Sequence, residues 1–341
     1  MKAIFLTEDR KILLEDVPRP VISGENQVLV RVRAVGICGS DVHYFVEGRI
    51  GTQVVTDRII LGHECSGEVV EVGSGVKNLR AGDRVAIEPG ISCGKCQFCQ
   101  QGKPNLCPYV LFLGTPPVDG ALREFLVMPE HNLIKIPKDL GYEEAAICEP
   151  LAIGLYAVRI SCFRPGDSVA ILGAGPIGLS VIFSLAGVAS RVVVSDLFQN
   201  RLDMAKVLGA TETVLVEEGL TGNPFQGYRQ DFDVVFEAAG KKETCKQAIE
   251  IAKIGGNVVL IGIPRQDIIF LDPHLMRRKE LILTNVRRSA HTTEKALHLM
   301  TRKPGLFSRI ITHTFTLEET EKALTLVSGY RDGVIKAMVK L

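Results

Sequence analysis

Hydrophobic and polar positions fall into two regimes along the chain. Up to about residue 150, short runs alternate between apolar and polar and are separated by glycine-bearing turns. Gln27-Val-Leu-Val-Arg-Val-Arg33 is one such run, which predicts a strand with one wet face. Ser66–Val72, Asp83–Ile87 and Leu122–Val127 read the same way. Together they predict a partly closed β-barrel. From 152 to about 284 the pattern changes. Apolar strand runs at 169–172, 191–196, 213–216, 232–236, 257–263 and 281–285 alternate with helical stretches, the signature of a parallel sheet covered on both faces. Residues 143–160 predict a helix interrupted at Pro150, and 219–230 a loop by composition. Thr316-Leu-Glu-Glu319 is a capping box expected to open a helix with Ala323, Leu324 and Val327 on one face. Gly333–Leu341 ends the chain as a strand. The middle sheet already has six strands, so this last one is expected to rejoin the barrel. The expected layout is therefore one domain interrupted by another: 1–151, then 152–286, then 287–341 returning to the first.

The stretch Ser168–Asp196 organises the middle segment. Ser168-Val-Ala-Ile-Leu172 reads as a buried strand and is followed at once by Gly173-Ala-Gly175-Pro176-Ile177-Gly178 and an apolar helical run to Val188. In such a pattern the first glycine permits a tight turn and the second lets the backbone approach a pyrophosphate. The third lets helix pack on strand, and the free N–H groups of the helix N-terminus face the anion. The next strand ends on Asp196, 18 residues after Gly178, where a carboxylate can take the ribose 2′-hydroxyl of NAD and would repel the 2′-phosphate of NADP. Arg201, close by, would serve either cofactor.

Charge excludes some classes of partner. Forty Lys and Arg against 39 Asp and Glu give a net charge of +1, so no global field recruits nucleic acid or an anionic membrane. The N-terminus reaches charged residues too soon for a signal peptide, and no apolar run is long enough to span a membrane. A soluble cytoplasmic protein is expected. Nine cysteines, an odd number, argue for metal-binding or buried thiols rather than a disulfide framework.

Cys93-x-x-Cys96-x-x-Cys99-x₇-Cys107 places four thiols within fifteen residues, in a lobe spanning 90–108. That spacing matches a closed tetrahedral structural zinc site. An iron–sulfur cluster and metal-free thiols are the alternatives. Cys38-Gly-Ser-Asp41 and Gly62-His63-Glu64 supply a thiol, an imidazole and a carboxylate, all zinc ligands, with 24 residues between Cys38 and His63. This separation is too long for a zinc finger and fits ligands delivered from separate loops. On spacing alone, a core thiol at Cys38 is as good a reading as a ligand, and a single histidine such as His63 is more often a satisfied structural one. Glu149, just before Pro150 and among apolar neighbours, needs a partner, and a cation is the simplest. A capped helix break is the alternative there. His43 reads as a relay group or a surface histidine, and Cys65, Cys148, Cys162 and Cys245 as buried apolar thiols.

Taken together, the chain resembles the zinc-dependent medium-chain alcohol dehydrogenase family along essentially its whole length, most of all its sorbitol/xylitol (polyol) branch. The stretches that carry the resemblance are Gly36–Tyr44, Gly48–Gly51, Leu61–Cys65, Gly82–Gly90, Glu149–Leu151 and Gly173–Gly178. It implies a Rossmann-type doubly wound sheet inserted between segments of a GroES-like β-barrel catalytic domain, assembled as a homotetramer. Cys38, His63 and Glu64 would hold a catalytic zinc, with Glu149 at the open side or taking a turn as ligand. Ser40 would carry the proton relay, and Asp41 would support the His63 ring. Tyr44, Glu149 and Arg287 would face substrate. Gly173, Gly175, Pro176, Ile177, Gly178, Asp196 and Arg201 would bind NAD. The implied reaction moves a hydride from a secondary alcohol of a polyol to NAD, giving a ketose. Butanediol, L-threonine or sugar-phosphate oxidation at the same zinc site, and a catalytically silent nucleotide-binding relative, are the alternatives. One departure stands out: polyol dehydrogenases often have Phe-Arg-Tyr where this chain has Val286-Arg287-Arg288, and the extra cation points toward a more anionic substrate. The four-cysteine lobe, absent from some animal sorbitol dehydrogenases, points to the microbial and fungal side of the branch.

Overall fold

A computed structural model describes residues 1–217, 219, 223–228 and 231–341. The chain forms two compact units, Met1–Glu149 with Thr293–Leu341, and Pro150–Thr292. Within the loop expected at 219–230, residues 220–222, 229 and 230 lie outside the described residues; Gln226–Tyr228 forms one 3₁₀ turn, and Phe225 is buried against Tyr228 and Phe232.

In the first unit the main sheet runs Leu133–Lys135, Arg84–Ile87, Glu64–Val72, Gln27–Gly36, Lys336–Lys340, Ile311–Thr316, with Phe125–Pro129 also paired to Gln27–Gly36. A smaller sheet joins Ile12–Asp16, Lys2–Thr7 and Arg58–Ile60. Gln27–Gly36 is the central strand. Phe125–Pro129 covers the edge of its first half and Lys336–Lys340 that of its second, while Glu64–Val72 runs along the other side. The helix Tyr142–Ala146 packs across it. Val28, Leu29 and Val30 are therefore all buried, and the wet face expected from the alternation narrows to the exposed Arg31. Each such aliphatic side chain contributes on the order of 1.5–3 kcal/mol by leaving water. Two register shifts against Glu64–Val72 bend the strand just before Cys38, as bulges beside functional sites do.

The final strand pairs antiparallel with Gln27–Gly36 and parallel with Ile311–Thr316, so it rejoins the first sheet as expected. The Thr316/Glu319 capping box forms, with Thr316 N–H donating to Glu319 Oε2 at 3.2 Å, but it opens a 3₁₀ turn, Leu317–Glu319, ahead of the helix Thr320–Ser328. The helix expected to break at Pro150 breaks instead at Ile147, between Tyr142–Ala146 and Cys148–Ile160. Pro150 falls in the first turn of the second helix, where no intrahelical partner for its missing N–H is required.

The second unit holds, among the described residues, a six-stranded parallel sheet in the order Glu212–Leu215, Arg191–Asp196, Ser168–Leu172, Phe232–Glu237, Ala252–Leu260, Ile282–Asn285. The order reverses between Ser168–Leu172 and Phe232–Glu237, the switch point at which doubly wound sheets bind ligands. The strand expected at 257–263 begins earlier, at Ala252, because a register shift lets Ala252 pair with Phe232 before the regular ladder resumes at Asn257. Cys65, Cys148 and Cys245 are buried thiols as expected, but Cys162 is exposed: it follows the helix Cys148–Ile160 with φ 56°, a chain-reversing conformation that turns it out of the core. No helix among the described residues is long and apolar enough to cross a membrane.

Candidate functional site

The bent central strand delivers Cys38 to the N-cap of the helix Gly39–Glu47. Its sulfur faces the backbone N–H of Asp41, while the Asp41 carboxylate takes the Cys38 N–H at 2.9 Å. The same carboxylate accepts from Gly62 N–H at 3.1 Å and lies 3.7 Å from His63 Nδ1, an electrostatic contact rather than a hydrogen bond. One buried acid thus ties together the two loops that carry the thiol and the imidazole. Phe112 packs on the His63 ring with centroids 5.4 Å apart. Glu64 opens the next strand, and its carboxylate occupies the space left by Gly36: a Cβ there would stand 2.2 Å from Glu64 Oε2.

One ligand atom each from Cys38, His63 and Glu64 lie within 4.8 Å of one another. The sequence reading of residues 334–341 missed a fourth participant. Lys336, buried in the last strand, donates to Glu64 Oε1 at 2.8 Å, to Oε2 at 2.7 Å and to Ile37 O at 3.0 Å. The signal was present as one lysine inside the apolar run Val334–Val339. Burial opposes its charge, but Glu64 and Cys38 outweigh that and hold the ammonium's pKa above its ordinary value.

Glu149 is 6 % exposed and is not part of the three-atom cluster, though His63, Glu64 and Cys38 all act on it electrostatically. Burial pushes its carboxyl well above the usual carboxylate range, and Glu64 and Cys38 add to the shift against His63. Burial first, then Glu64, also pushes the Cys38 thiol up to about 12, with Lys336 opposing. A donor set of thiol, imidazole and carboxylate, with a further buried acid beside it, fits a dication: it alone restores the thiolate and balances the acids. Ser40 weakly opposes the rise of the Cys38 thiol pKa. His43 is half-buried, and Tyr44 is 1 % exposed within the core of the unit.

In the 90–108 lobe, one sulfur each from Cys93, Cys96, Cys99 and Cys107 lie within 4.8 Å of one another, with Cys96 and Cys99 at 3.5 Å. Four sulfurs at about 2.3 Å from one zinc would sit roughly 3.8 Å apart, so the cluster fits that ion. Backbone N–H groups of Lys95 and Cys96 lower the Cys93 thiol to about 6.

In the second unit, Gly173 turns at φ 102°, and a Cβ on Gly178 would meet Gly173 O at 1.9 Å, so helix and loop pack backbone to backbone. Gly175 caps the helix Pro176–Leu185, whose first residues are Pro176, Ile177 and Gly178. Asp196 is fixed by two backbone donors: Ala174 N–H at 2.7 Å on Oδ2 and Phe198 N–H at 3.0 Å on Oδ1. A carboxylate has about four acceptor positions, so capacity for a ribose hydroxyl remains. The Arg201 guanidinium stacks on Phe198 at 5.1 Å. Arg287 is exposed just past the last sheet strand, and Arg288 follows it with φ 56°.

Two family models match: the alcohol dehydrogenase GroES-like domain over residues 24–138 and the zinc-binding dehydrogenase domain over 176–302. The chain belongs to the zinc-dependent medium-chain alcohol dehydrogenase family, in its polyol branch. It is similar to sorbitol dehydrogenase of Bacillus subtilis (strain 168), 38 % identical over 99 % of this chain and 97 % of that protein. Among solved structures, an alcohol dehydrogenase from Escherichia coli CFT073 complexed with NADH matches with a TM-score of 0.90 at 29 % identity, covering 100 % of this chain and 99 % of that one. The 2R,3R-butanediol dehydrogenase of Bacillus subtilis matches with a TM-score of 0.86 at 30 % identity, over 100 % and 99 %. The protein is thus an oxidoreductase with a GroES-like domain and a Rossmann-type sheet, whose cofactors are zinc and NAD(H).

The buried pair Lys336–Glu64 carries a stability prediction. Lys336→Met leaves the Glu64 carboxylate uncompensated and is expected to cost about 3–5 kcal/mol. Lys336→Met with Glu64→Gln should recover most of that loss, and urea unfolding of metal-free protein followed by circular dichroism measures both.

Proposed function

We propose that this protein oxidises a secondary alcohol of a sorbitol- or xylitol-like polyol to the ketose, with NAD as acceptor. The observation that carries the reading is the convergence of Cys38, His63 and Glu64, from loops far apart in sequence, in a chain similar to a sorbitol dehydrogenase over almost its whole length. In this reading those three residues hold the catalytic zinc, Glu149 stands at its open side, and Cys93, Cys96, Cys99 and Cys107 hold a structural zinc that staples the 90–108 lobe. Gly173, Gly175, Pro176, Ile177 and Gly178 cradle the NAD pyrophosphate, with Asp196 on the ribose and Arg201 beside it.

Oxidation removes a hydride from the carbinol carbon and a proton from its hydroxyl, and NAD supplies the nicotinamide that accepts the hydride. Zinc supplies Lewis acidity, the effect that brings water from about 15.7 to about 7 in pKa. The residues do the rest. Cys38 and Glu64 as anions would balance a dication, and Lys336 offsets the buried Asp41 carboxylate, so the pocket stays near neutral. Ser40, two residues from Cys38, passes the hydroxyl proton outward in this reading. Glu149, buried beside the three ligand atoms, hydrogen-bonds at the open side in this reading. Support for Tyr44 and Arg287 as substrate contacts comes from the resemblance alone. A cytoplasmic homotetramer completes the reading. The exposed Ile268 and Phe270, and the open edge of the strand Ile282–Asn285, support self-association.

A second reading, oxidation of a vicinal diol, draws on the likeness to 2R,3R-butanediol dehydrogenase. The pair Arg287–Arg288 favours a sugar phosphate instead. A panel of polyols, vicinal diols, L-threonine and sugar phosphates, run with NAD and NADP side by side and followed by NADH absorbance, decides among them. Polyols with NAD should give the highest kcat/KM. A preference for any other class, or for NADP, contradicts the proposal.

Cys38→Ser should lose one zinc and turnover yet bind NADH as the parent does, measured by metal analysis and fluorescence titration. Near-normal activity in that variant would show that the metal assignment is wrong.

A further inference from the structure

Glu237 ends the strand Phe232–Glu237, is fully buried, and has no part in the chemistry above. Its Oε1 accepts from Ala239 N–H at 3.0 Å, from Gly240 N–H at 2.8 Å and from the Thr244 hydroxyl at 2.7 Å. Its main-chain oxygen accepts from Ile261 and Gly262 N–H at 2.8 and 3.0 Å, while Ala238 N–H donates to Leu172 O at 2.9 Å. One residue and its neighbour therefore fix the ends of three adjacent strands, Ser168–Leu172, Phe232–Glu237 and Ala252–Leu260. The other oxygen, Oε2, is buried with no hydrogen-bond partner among the described residues. A buried acceptor left unmade costs about 1–3 kcal/mol, so an acid at this position needs a reason.

The turn that Oε1 holds, 238–240, backs onto the glycine loop. A Cβ on Gly173 would stand 3.0 Å from Ala239 N and 3.1 Å from Ala239 Cα. One on Gly262 would stand 2.2 Å from Gly240 N, and one on Gly240 would stand 2.6 Å from Ile263 O. The packing here is mostly backbone on backbone, with only the Ala239 methyl and Glu237 Oε2 as side-chain neighbours, so little can absorb a shift. A displacement of the 238–240 turn by a few tenths of an ångström passes directly to Gly173, and Gly173 sets where the N–H groups of the loop point. Without the Glu237 carboxyl, the Ala239 and Gly240 donors lose their partner in a site where Gly240 is itself buried. Burial raises the acid's pKa, with Thr244 and the backbone donors opposing, and glutamine keeps an Oε1 acceptor while removing the charge.

We infer that Glu237 is a positioning residue for the dinucleotide: it holds the 238–240 turn against Gly173 and so fixes the loop that takes the pyrophosphate. The inference rests on the reading of Gly173–Gly178 as the dinucleotide loop. The test uses zinc-loaded protein, with NADH Kd from fluorescence titration, KM for NAD, kcat at saturating NAD, and zinc content. Glu237→Ala should raise both Kd and KM about 10-fold, the equivalent of one to two lost hydrogen bonds. Its kcat and zinc content should stay at the parent's. Glu237→Gln, which keeps the Oε1 acceptor, should bring Kd back to within about threefold. Should Glu237→Ala fail to fold, Thr244→Val takes its place: removing one of the three donors should raise Kd about threefold while sparing zinc. NADH binding unchanged in Glu237→Ala overturns the inference, as does zinc loss in step with weakened binding, which would mark a general structural role. A parent enzyme that fails to bind NADH sinks the glycine-loop reading with it, whereas unchanged binding in Glu237→Ala sinks this inference alone.

Discussion

The structure of the first unit depends on an excess of buried negative charge at the end of its central strand. Asp41, Glu64 and Glu149 are all withdrawn from water within reach of one another and of the Cys38 thiol. Moving a carboxylate from water into the interior costs several kcal/mol unless it is compensated. Lys336 compensates Glu64, and backbone N–H groups with His63 compensate Asp41. Burial raises the pKa of both the Cys38 thiol and the Glu149 carboxyl, and a further positive charge would oppose it. The local architecture reads as the means of assembling that deficit: a bulged strand that bends before Cys38, a glycine that makes room for Glu64, and a C-terminal strand that carries Lys336 back beside a residue 272 positions earlier.

The two candidate metal clusters, one of four cysteines and one of Cys38, His63 and Glu64, are encoded in very different ways. The four thiols of the 90–108 lobe come from one short segment, so spacing alone narrows the chemistry. Cys38, His63 and Glu64 are joined through strand pairing between Gln27–Gly36 and Glu64–Val72, through the Asp41 bridge and through Lys336. Spacing is silent there, and the whole-chain resemblance was needed to choose between a metal ligand and a core thiol. A local cluster is a property of a sequence; a dispersed one is a property of a fold.

The same distinction governs what was legible elsewhere. The alternation of strands and helices in 152–284, the glycine loop and the acid at Asp196 are short-range patterns, and apart from the strand that begins early at Ala252 the strands form close to where their patterns placed them. Lys336 and Glu237 were not legible because a charged residue in an apolar strand looks like an error until its partner is seen. Their partners, Glu64 and the turn after Glu237, are set by packing. Pro150 misled because proline stops a helix only in its interior, and Ile147 had already restarted the turn. Cys162 misled because composition gives thiols a buried prior, whereas a left-handed residue after a helix end points outward. The one-faced pattern of Gln27–Arg33 understated burial because a central strand is covered by neighbours that its own sequence does not announce.

The most direct measurement of the central claim is anomalous diffraction from crystals of the purified protein, recorded on either side of the zinc absorption edge. The account predicts two zinc peaks per chain, one enclosed by Cys93, Cys96, Cys99 and Cys107 and one touching Cys38 Sγ, the His63 ring and the Glu64 side of the pocket. A single peak in the four-cysteine lobe, with the Cys38–His63–Glu64 cluster holding no metal in active protein, would contradict it.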